Sequence, residues 1–341
     1  MVDVAALLEG RHWLRAMAAG EGRAAARDSD CGSLNSPSRG DRARRTVIFS
    51  ADDFGSSEAV NGAVALAHRQ GLLGSASLMA AGPQVAAAVR LAKELPGLCL
   101  GVHLTLIKGR AISSPQKIPH LVDSQGHFGN CPVAVGWRYF WQPRLLPEIR
   151  RELASQIEAV LRLGLHPWHL NSHLNLHMHP RIFPLVVDLA REYDIPAVRL
   201  VREDWRTTLA LAPDHPFPKL AQGLIFALLC RRARRIARAA GLFSNDQLFG
   251  LLNDGRMTET YLLDLIPRLQ AGVTEIYSHP GLTADPEMPA YRRQQELTAL
   301  LSPQLKYALA AEAVELSDFA GLSQRMKAIR KNTINLSNFS D

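Results

Sequence analysis

The sequence contains no long hydrophobic run. A helix that crosses a bilayer needs ~20 consecutive and mostly apolar residues, and no stretch of the 341-residue chain comes near that length. The longest apolar run near the N-terminus, Val4–Leu8, is too short for the core of a secretory signal peptide. We therefore expect a cytoplasmic protein.

Cysteine is scarce as well. The chain has four cysteines, and none of them stands in a CxxC or CxxH spacing that would indicate a structural zinc site. We expect free thiols in a reducing compartment instead of a disulfide framework. Neither GxGxxG nor GxxxxGK[ST] follows any predicted strand, which disfavours a nucleotide-binding protein.

The basic segments lack aromatic residues. The formal net charge is +7, from 39 basic and 32 acidic residues. Arginines crowd the segment before Thr46, the run Arg231–Arg238 and the tail after Ser323. No aromatic side chains alternate with these arginines, as a platform for stacked bases requires. We therefore expect no nucleic-acid partner.

Alternating strand and helix patterns fill the middle of the chain. Strands are predicted at Val47–Ala51, Ser75–Ala81, Cys99–Thr105, Trp168–His173, Ala197–Val201, Gln247–Leu252, Val273–Ser278 and Val314–Leu316. Helical periodicity separates them, and this succession predicts a parallel sheet with right-handed crossovers. Seven or so strands over about 275 residues are more typical of a distorted or closed (β/α) barrel in one α/β domain than of a doubly wound sheet.

The two ends of the chain differ from its middle in composition. Residues 1–45 are rich in Ala, Gly, Arg and Ser and predict a disordered extension. Residues 46–322 form the predicted barrel domain, and 323–341 a frayed basic tail. Within the barrel domain, Ile107–Pro143 shows no regular pattern but contains several aromatic residues, so we expect a substrate-facing flap there.

Two adjacent carboxylates follow the first predicted strand. Asp52 and Asp53 stand where Val47–Ala51 should leave the sheet. Because neighbouring side chains of an extended backbone point to opposite sides, one carboxylate can bind a cation while the other stays free as a base. The alternative is a solvated turn in which an Asp caps the following helix, which begins near Glu58.

Histidines lie at the ends of other predicted strands. His103, His173, His177 and His279 all fall where a barrel gathers its catalytic groups. One carboxylate and two imidazoles from separate strands suit a catalytic Zn²⁺ or another divalent ion with open coordination positions. Such an ion polarises a carbonyl group, and a second carboxylate beside it can act as general base. The pattern indicates hydrolysis of an amide or ester; a structural, hydrogen-bonded role for His103 is the alternative.

Four motifs resemble, in order and spacing, those of the YdjC/ChbG-like carbohydrate deacetylases. They are Ser50-Ala-Asp-Asp-Phe-Gly55, Gly101-Val-His-Leu-Thr105, Asn171-Ser-His-Leu-Asn-Leu-His-Met-His-Pro180 and Tyr277-Ser-His-Pro-Gly281. The resemblance runs from about Thr46 to Leu316. It implies a barrel of the polysaccharide-deacetylase type that removes an N-acetyl group from an amino sugar with the help of one divalent metal ion, Mg²⁺ or Zn²⁺.

The resemblance also implies roles for individual residues. Asp53, His103 and His173 match the metal ligands of the family, and Asp52 matches its catalytic base. His279 is the expected acid for the leaving amine, or a stabiliser of the oxyanion. The expected substrate-binding residues are Asn175, His177 and Arg199. Asn175 stands where the family commonly has histidine, which changes the support around the metal.

Further segments resemble the HpnK branch of the family, the hopanoid biosynthesis-associated deacetylases. They are Ser75–Pro83, the residues from Arg138 to Phe140, and the Asn-x-His opening of the histidine cluster. The implied substrate is an N-acetylglucosaminyl bacteriohopanepolyol. Residues 220–238 join an apolar half to an arginine-rich half, so we expect peripheral contact with the inner face of an anionic membrane. An outer barrel helix with a solvated basic face is the alternative.

The sequence is also compatible with three other functions. One is a deacetylase of soluble chitooligosaccharides. A second is a glycosidase that uses Asp52 and Asp53, although adjacent carboxylates are poorly placed to flank a bond ~5–9.5 Å apart. The third is a carbohydrate- or lipid-binding protein whose site has lost activity. The sequence leaves the oligomeric state undetermined.

Overall fold

The computed structural model describes residues 44–286 and 288–337. The predicted disordered extension falls, but for its last two residues, outside this part of the chain. Eight strands are present among the described residues: β1 Arg45–Phe54, β2 Ser75–Leu78, β3 Cys99–Leu104, β4 His169–Ser172, β5 Ala197–Val198, β6 Gln247–Phe249, β7 Gly272–Ser278 and β8 Val314–Ser317.

Helices connect the strands. They are α1 Glu58–Gln70, α2 Val85–Glu94, α3 Pro132–Trp141, α4 Leu146–Arg162, α5 Phe183–Glu192, α6 Trp205–Leu211, α7 Pro216–Ala239, α8 Glu259–Leu265, α9 Arg293–Leu301, α10 Pro303–Ala311 and α11 Phe319–Ser337. Short 3₁₀ turns cover Pro115–Lys117, Pro143–Leu145, His173–Met178 and Ile266–Arg268. No helix among these residues has the length and apolar character needed to cross a bilayer.

All strands of the sheet run parallel, as expected. Their order is β5-β4-β3-β2-β1-β7-β6, and β8 pairs with β1 as well. β1 is central: it pairs with β7 from Arg45 to Ala51, while its first half also pairs with β8 and its second half with β2. The carboxyl ends of the strands therefore meet on one side of the molecule.

Irregular backbone, in place of a full ladder, joins the outer strands β5 and β6. The Val198 N–H donates to the Phe243 carbonyl at 3.0 Å, and the Leu248 N–H donates to the Arg202 carbonyl at 2.8 Å. The Asn245 side chain bonds both backbone groups of Leu200. The predicted distorted (β/α) barrel in a single domain is thereby confirmed.

Alternate residues of β1 pack on different sides. Val47, Phe49 and Ala51 belong to the large core beneath the helices. Ile48 instead packs in a second cluster with Phe319 of α11. This second cluster fills the amino-terminal end of the barrel and leaves the opposite end for polar side chains.

Two regions differ from the sequence-based expectation. The stretch Ile107–Pro143 is not irregular throughout, because it contains α3, whose buried Tyr139 donates a hydrogen bond to the Leu106 carbonyl at 2.9 Å. Where a frayed tail was expected from Ser323, α11 continues to Ser337. Burial of Phe319 and Leu322 against the barrel anchors the start of that helix.

Candidate metal centre and active-site cavity

A backbone irregularity positions the two carboxylates of β1. The pairing with β2 shifts register between Ala51 and Phe54, and Asp53 has a left-handed φ of 62°. Asp52 and Asp53 therefore lie within a bulged strand instead of after its end. The bulge turns the two carboxylates toward different partners, as bulges near active sites commonly do.

Asp53, His103 and His173 form the only candidate metal cluster among the described residues, with ligand atoms within 4.8 Å of one another. Asp53 Oδ1 lies 3.3 Å from His103 Nε2 and 3.1 Å from His173 Nδ1. Burial would raise the pKa of Asp53, but His173 and His103 hold it well below its usual range. Asp53 is therefore an anion at neutral pH.

The imidazole of His103 is oriented for a cation. Its Nδ1–H donates to Asn171 Oδ1 at 2.9 Å. The other ring nitrogen, Nε2, is buried, makes no hydrogen bond and faces Asp53 Oδ1 at 3.3 Å, where a metal ion that displaces its proton would find the lone pair. A carboxylate facing two imidazoles, one of them with a buried unpartnered nitrogen, fits a divalent ion such as Zn²⁺.

Asp52 lies in a different environment. Its Oδ1 accepts hydrogen bonds from Ser77 Oγ at 2.9 Å and from Asn171 Nδ2 at 3.0 Å. Arg199 contacts both carboxylate oxygens. Burial raises the pKa of Asp52, but the Arg199 charge more than offsets this effect and lowers the pKa below its ordinary value. Asp52 is therefore ionised and rigidly held.

Arg199 does not reach the cavity that Asp52 borders. The side chain is fully buried, and its nitrogens also contact Glu275 Oε1, at 2.6 and 3.0 Å, and Ser50 Oγ at 3.2 Å. The structure thus places Arg199 behind Asp52, away from the site where a substrate would bind. Glu275 is not among the residues singled out in the sequence, although a carboxylate in the apolar strand β7 indicates a buried ion pair.

His279 follows β7 and faces Asp254. The distance between His279 Nδ1 and Asp254 Oδ1 is 3.4 Å, and Tyr291 donates a hydrogen bond to Asp254 Oδ2. Burial raises the pKa of Asp254 to about 8 and lowers the pKa of His279 to about 4. The pair therefore carries one titratable proton at neutral pH.

The turn His173–Met178 places the two expected substrate-binding residues Asn175 and His177 in different surroundings. Leu174 and Asn175 have left-handed φ angles of 52° and 54°. Asn175 Nδ2 lies 3.4 Å from the Tyr277 hydroxyl, and its buried Oδ1 has no hydrogen-bond partner. Both His177 nitrogens bond within the protein, Nδ1 with Ser172 Oγ and Nε2 with the Arg199 carbonyl. His177 thus fixes the turn and, unlike Asn175, does not line the cavity.

The site opens into a cavity of about 600 Å³ at the carboxyl ends of the strands. Asp52, His103, His173, Asn175 and His279 all border it. With Asp53, which clusters with two of them, the structure brings together six of the eight residues singled out in the sequence. Asp53 lies directly behind them, within reach of both imidazoles.

The strand ends of this distorted (β/α) barrel carry an Asp-His-His cluster beside a second buried carboxylate, and this set of groups suits hydrolysis. Residues 46–311 match the family model described as YdjC-like protein. The chain belongs to this YdjC-like family.

Carbohydrate deacetylases are among its relatives. The carbohydrate deacetylase of Vibrio cholerae serotype O1 is 33% identical over 283 residues, which is 81% of this chain and 96% of that protein. The carbohydrate deacetylase of Geobacillus stearothermophilus is 32% identical over 278 residues, 80% of this chain and 96% of that protein. These homologues indicate that the chain is a hydrolase of the carbohydrate deacetylase type.

The fold is also found among solved structures. An example is a protein of Enterococcus faecalis V583 to which cellobiose-phosphate cleavage has been ascribed. The two structures superpose with a TM-score of 0.61 at 24% identity, over 82% of this chain and 99% of that one.

Proposed function

We propose that the protein is a metal-dependent N-deacetylase of an amino sugar. The observation that carries this proposal is the placement of the Asp53–His103–His173 cluster directly beside the buried, ionised Asp52. Asp53, His103 and His173 would hold one divalent ion, Mg²⁺ or Zn²⁺. When bound, that ion polarises the acetamide carbonyl and promotes the attack of water.

Asp52 is the proposed general base. Its carboxylate borders the cavity and is kept unprotonated by Arg199, so it can accept a proton from the attacking water. Ser77 and Asn171 fix the orientation of the carboxylate through hydrogen bonds. Arg199, expected to bind the substrate, is assigned to holding Asp52 instead.

His279 is the proposed general acid. Amide hydrolysis expels an amine, which leaves readily only when it is protonated. The proton that His279 and Asp254 carry between them can be delivered from the His279 ring to the leaving nitrogen. The newly formed acetate and the free amino sugar then leave through the cavity. Asn175, at the edge of the cavity, is the proposed contact for a sugar hydroxyl.

The proposed substrate is an N-acetylglucosaminyl bacteriohopanepolyol. Support comes from the resemblance of Ser75–Pro83 and of the Arg138–Phe140 segment to the hopanoid branch of the family. Chitooligosaccharides are the alternative, because the relatives are carbohydrate deacetylases without further qualification.

We further propose that α7 rests on the inner face of an anionic membrane. Phe217, Leu224 and Leu228 are exposed apolar residues on one stripe of this helix. The same stripe continues into the exposed Arg231 and Arg235. An apolar stripe that runs into basic residues suits an interface between water and anionic lipid.

The test is acetate release by the purified protein, with and without EDTA, from the N-acetylglucosaminyl hopanoid and from di-N-acetylchitobiose. Release from the hopanoid alone, abolished by EDTA, is the expected result. Release from chitobiose alone would keep the chemistry and overturn the proposed substrate. Absence of acetate from either substrate, with metal demonstrably bound, would overturn the proposed function.

A further inference from the structure

A second cavity lies next to the catalytic one. It has a volume of about 240 Å³ and lies between α3, the His173–Met178 turn with the residues after it, and α7. We call it the apolar groove. Its apolar lining includes Trp137, Phe140, Leu174, Ile225, Phe226 and Leu229.

The apolar groove carries no charged side chain. Asn175 and His179 are its only polar lining residues. Burial lowers the pKa of His179 to about 4, so this imidazole is neutral at neutral pH. A surface of this composition gains free energy by covering hydrocarbon and offers little to a second sugar, whose hydroxyls would lose their hydrogen bonds to water.

The apolar groove is continuous with the catalytic cavity. Pro132, Leu174, Asn175 and Phe226 line both. Asn175 stands at the junction with a buried Oδ1 that lacks a hydrogen-bond partner. A ligand that spans the junction would present a polar group to Asn175 and apolar atoms beyond it.

The left-handed backbone of Leu174 supports the same interpretation. A non-glycine residue in this conformation is strained, and such strain clusters at ligand sites. Here it places Leu174 on the wall between the two cavities. The exposed Trp141, with 54% of its surface accessible, stacks on the groove residue Trp137 and extends the apolar surface outward.

We propose that the apolar groove binds the hydrocarbon aglycone of a glycolipid whose N-acetyl amino sugar lies in the catalytic cavity. The inference rests on the proposed deacetylase function and adds the site that selects a lipid-linked substrate. It makes Gly136, Trp137, Phe140, Ile225 and Leu229 specificity-determining residues.

Gly136 offers a clean way to block the apolar groove. It lies within α3 and lines the groove, and a Cβ at this position meets nothing within 4 Å. Gly136→Trp should therefore fill the groove while the helix is retained, because residues other than glycine favour a helix interior. Ala134→Leu, on the exposed side of the same helix, is the matched control.

The experiment compares octyl and methyl N-acetyl-β-glucosaminide, the octyl compound below its critical micelle concentration. For the wild-type chain we expect kcat/KM to be about 100-fold higher for the octyl glycoside, since burying methylene groups stabilises binding. Gly136→Trp should reduce this ratio to about 3 or less while activity on the methyl glycoside stays within about twofold. Ala134→Leu should leave the ratio unchanged.

A binding measurement separates this inference from the proposed function. Octyl N-acetyl-β-glucosaminide is titrated against the full-length chain. In the wild type, the fluorescence of Trp137 and Trp141 reports binding. For both variants, binding is measured by calorimetry. Binding that Gly136→Trp weakens at least tenfold supports the groove, even if no acetate is released and the deacetylase proposal fails. Equal kcat/KM for both glycosides, or octyl binding that Gly136→Trp leaves unchanged, overturns it. Absence of octyl binding to the full-length chain also overturns it.

Discussion

Arg199 contacts both carboxylate oxygens of Asp52, with Nη1 2.6 Å from Oδ2 and Nη2 2.9 Å from Oδ1. Both side chains are buried. This two-point contact fixes the plane of the carboxylate and keeps it ionised without any contact between Arg199 and the cavity. The orientation and the ionisation of the proposed catalytic base are thus controlled by a residue that the substrate does not contact.

Replacing Arg199 by lysine tests this relationship. A lysine keeps the positive charge but cannot contact both oxygens with a planar fork. The pKa of Asp52 should rise, because the attraction that lowers it is weakened. The base then needs a higher pH to lose its proton, so the acidic limb of the kcat profile should move to higher pH and kcat should fall about tenfold or more.

The control for Arg199→Lys is Arg150→Lys, which alters an exposed arginine paired with Glu192. This change should leave the pH profile intact, since exposed ion pairs contribute little. An acidic limb that stays in place in Arg199→Lys would contradict the proposed role of Arg199.

Substitution by asparagine should have different effects on metal binding at Asp52 and at Asp53. Asp53→Asn removes the anion between the two imidazoles and should lower both bound metal and activity, the latter by about 1000-fold or more. Asp52→Asn should lose activity to a similar extent but keep the metal. Metal content by mass spectrometry and acetate release measure the two effects. Loss of metal in Asp52→Asn would show that the roles of these neighbours are assigned wrongly.

The Asp254–His279 pair predicts an alkaline limit of activity. Burial sets the pKa of Asp254 at about 8 and that of His279 at about 4, so the pair holds one proton between these values. Since this proton is needed for the leaving amine, kcat should fall as pH rises through about 8. Asp254→Asn cannot release a proton, so it should lower kcat about 10- to 100-fold and abolish the alkaline fall. Asp264→Asn, at an exposed position, serves as the control and should leave the pH profile unchanged. If Asp254→Asn kept the alkaline fall of kcat seen in the wild type, the role of the pair would be disproved.

Membrane contact by α7 predicts sedimentation with anionic liposomes. Arg231, Arg232 and Arg235 are exposed, whereas Arg234 is paired with Asp246 at 3.2 Å and is left unchanged. Substituting the three exposed arginines by glutamine should abolish sedimentation, because each cation near an anionic surface contributes about 1 kcal/mol.

A charge-matched control is available on another part of the surface. Glutamine at Arg90, Lys93 and Lys306, which are also exposed, removes the same three charges away from α7. This variant should sediment like the wild type. Equal sedimentation of both triple variants would exclude α7 as the contact surface.

The sequence was sufficient for the fold class and for most residues of the candidate site. Asp52, His103 and His173 could be located because a polar residue at the end of a buried strand is a local pattern, and the topology of a parallel barrel brings such ends together. The role of Arg199 could not be found in this way. It depends on Ser50, Asp52 and Glu275 meeting across the barrel, and no local spacing records that contact.

Three further features escaped sequence reasoning for the same reason. The bulge at Asp53 is a property of the pairing between β1 and β2, which a single strand does not reveal. α3 was hidden in a stretch with many loop-forming residues, and tertiary packing of Val135 and Tyr139 stabilises it. His177 has the spacing of a ligand, but its two ring nitrogens are bonded to Ser172 and Arg199.

The most direct test of the central claim is acetate release from an N-acetylglucosaminide before chelation, after removal of metal, and after a divalent ion is added back. Our account predicts activity that disappears on chelation, returns on addition of Zn²⁺ or Mg²⁺, and fails to return in Asp53→Asn. Full activity of metal-free protein, confirmed by elemental analysis, would contradict it.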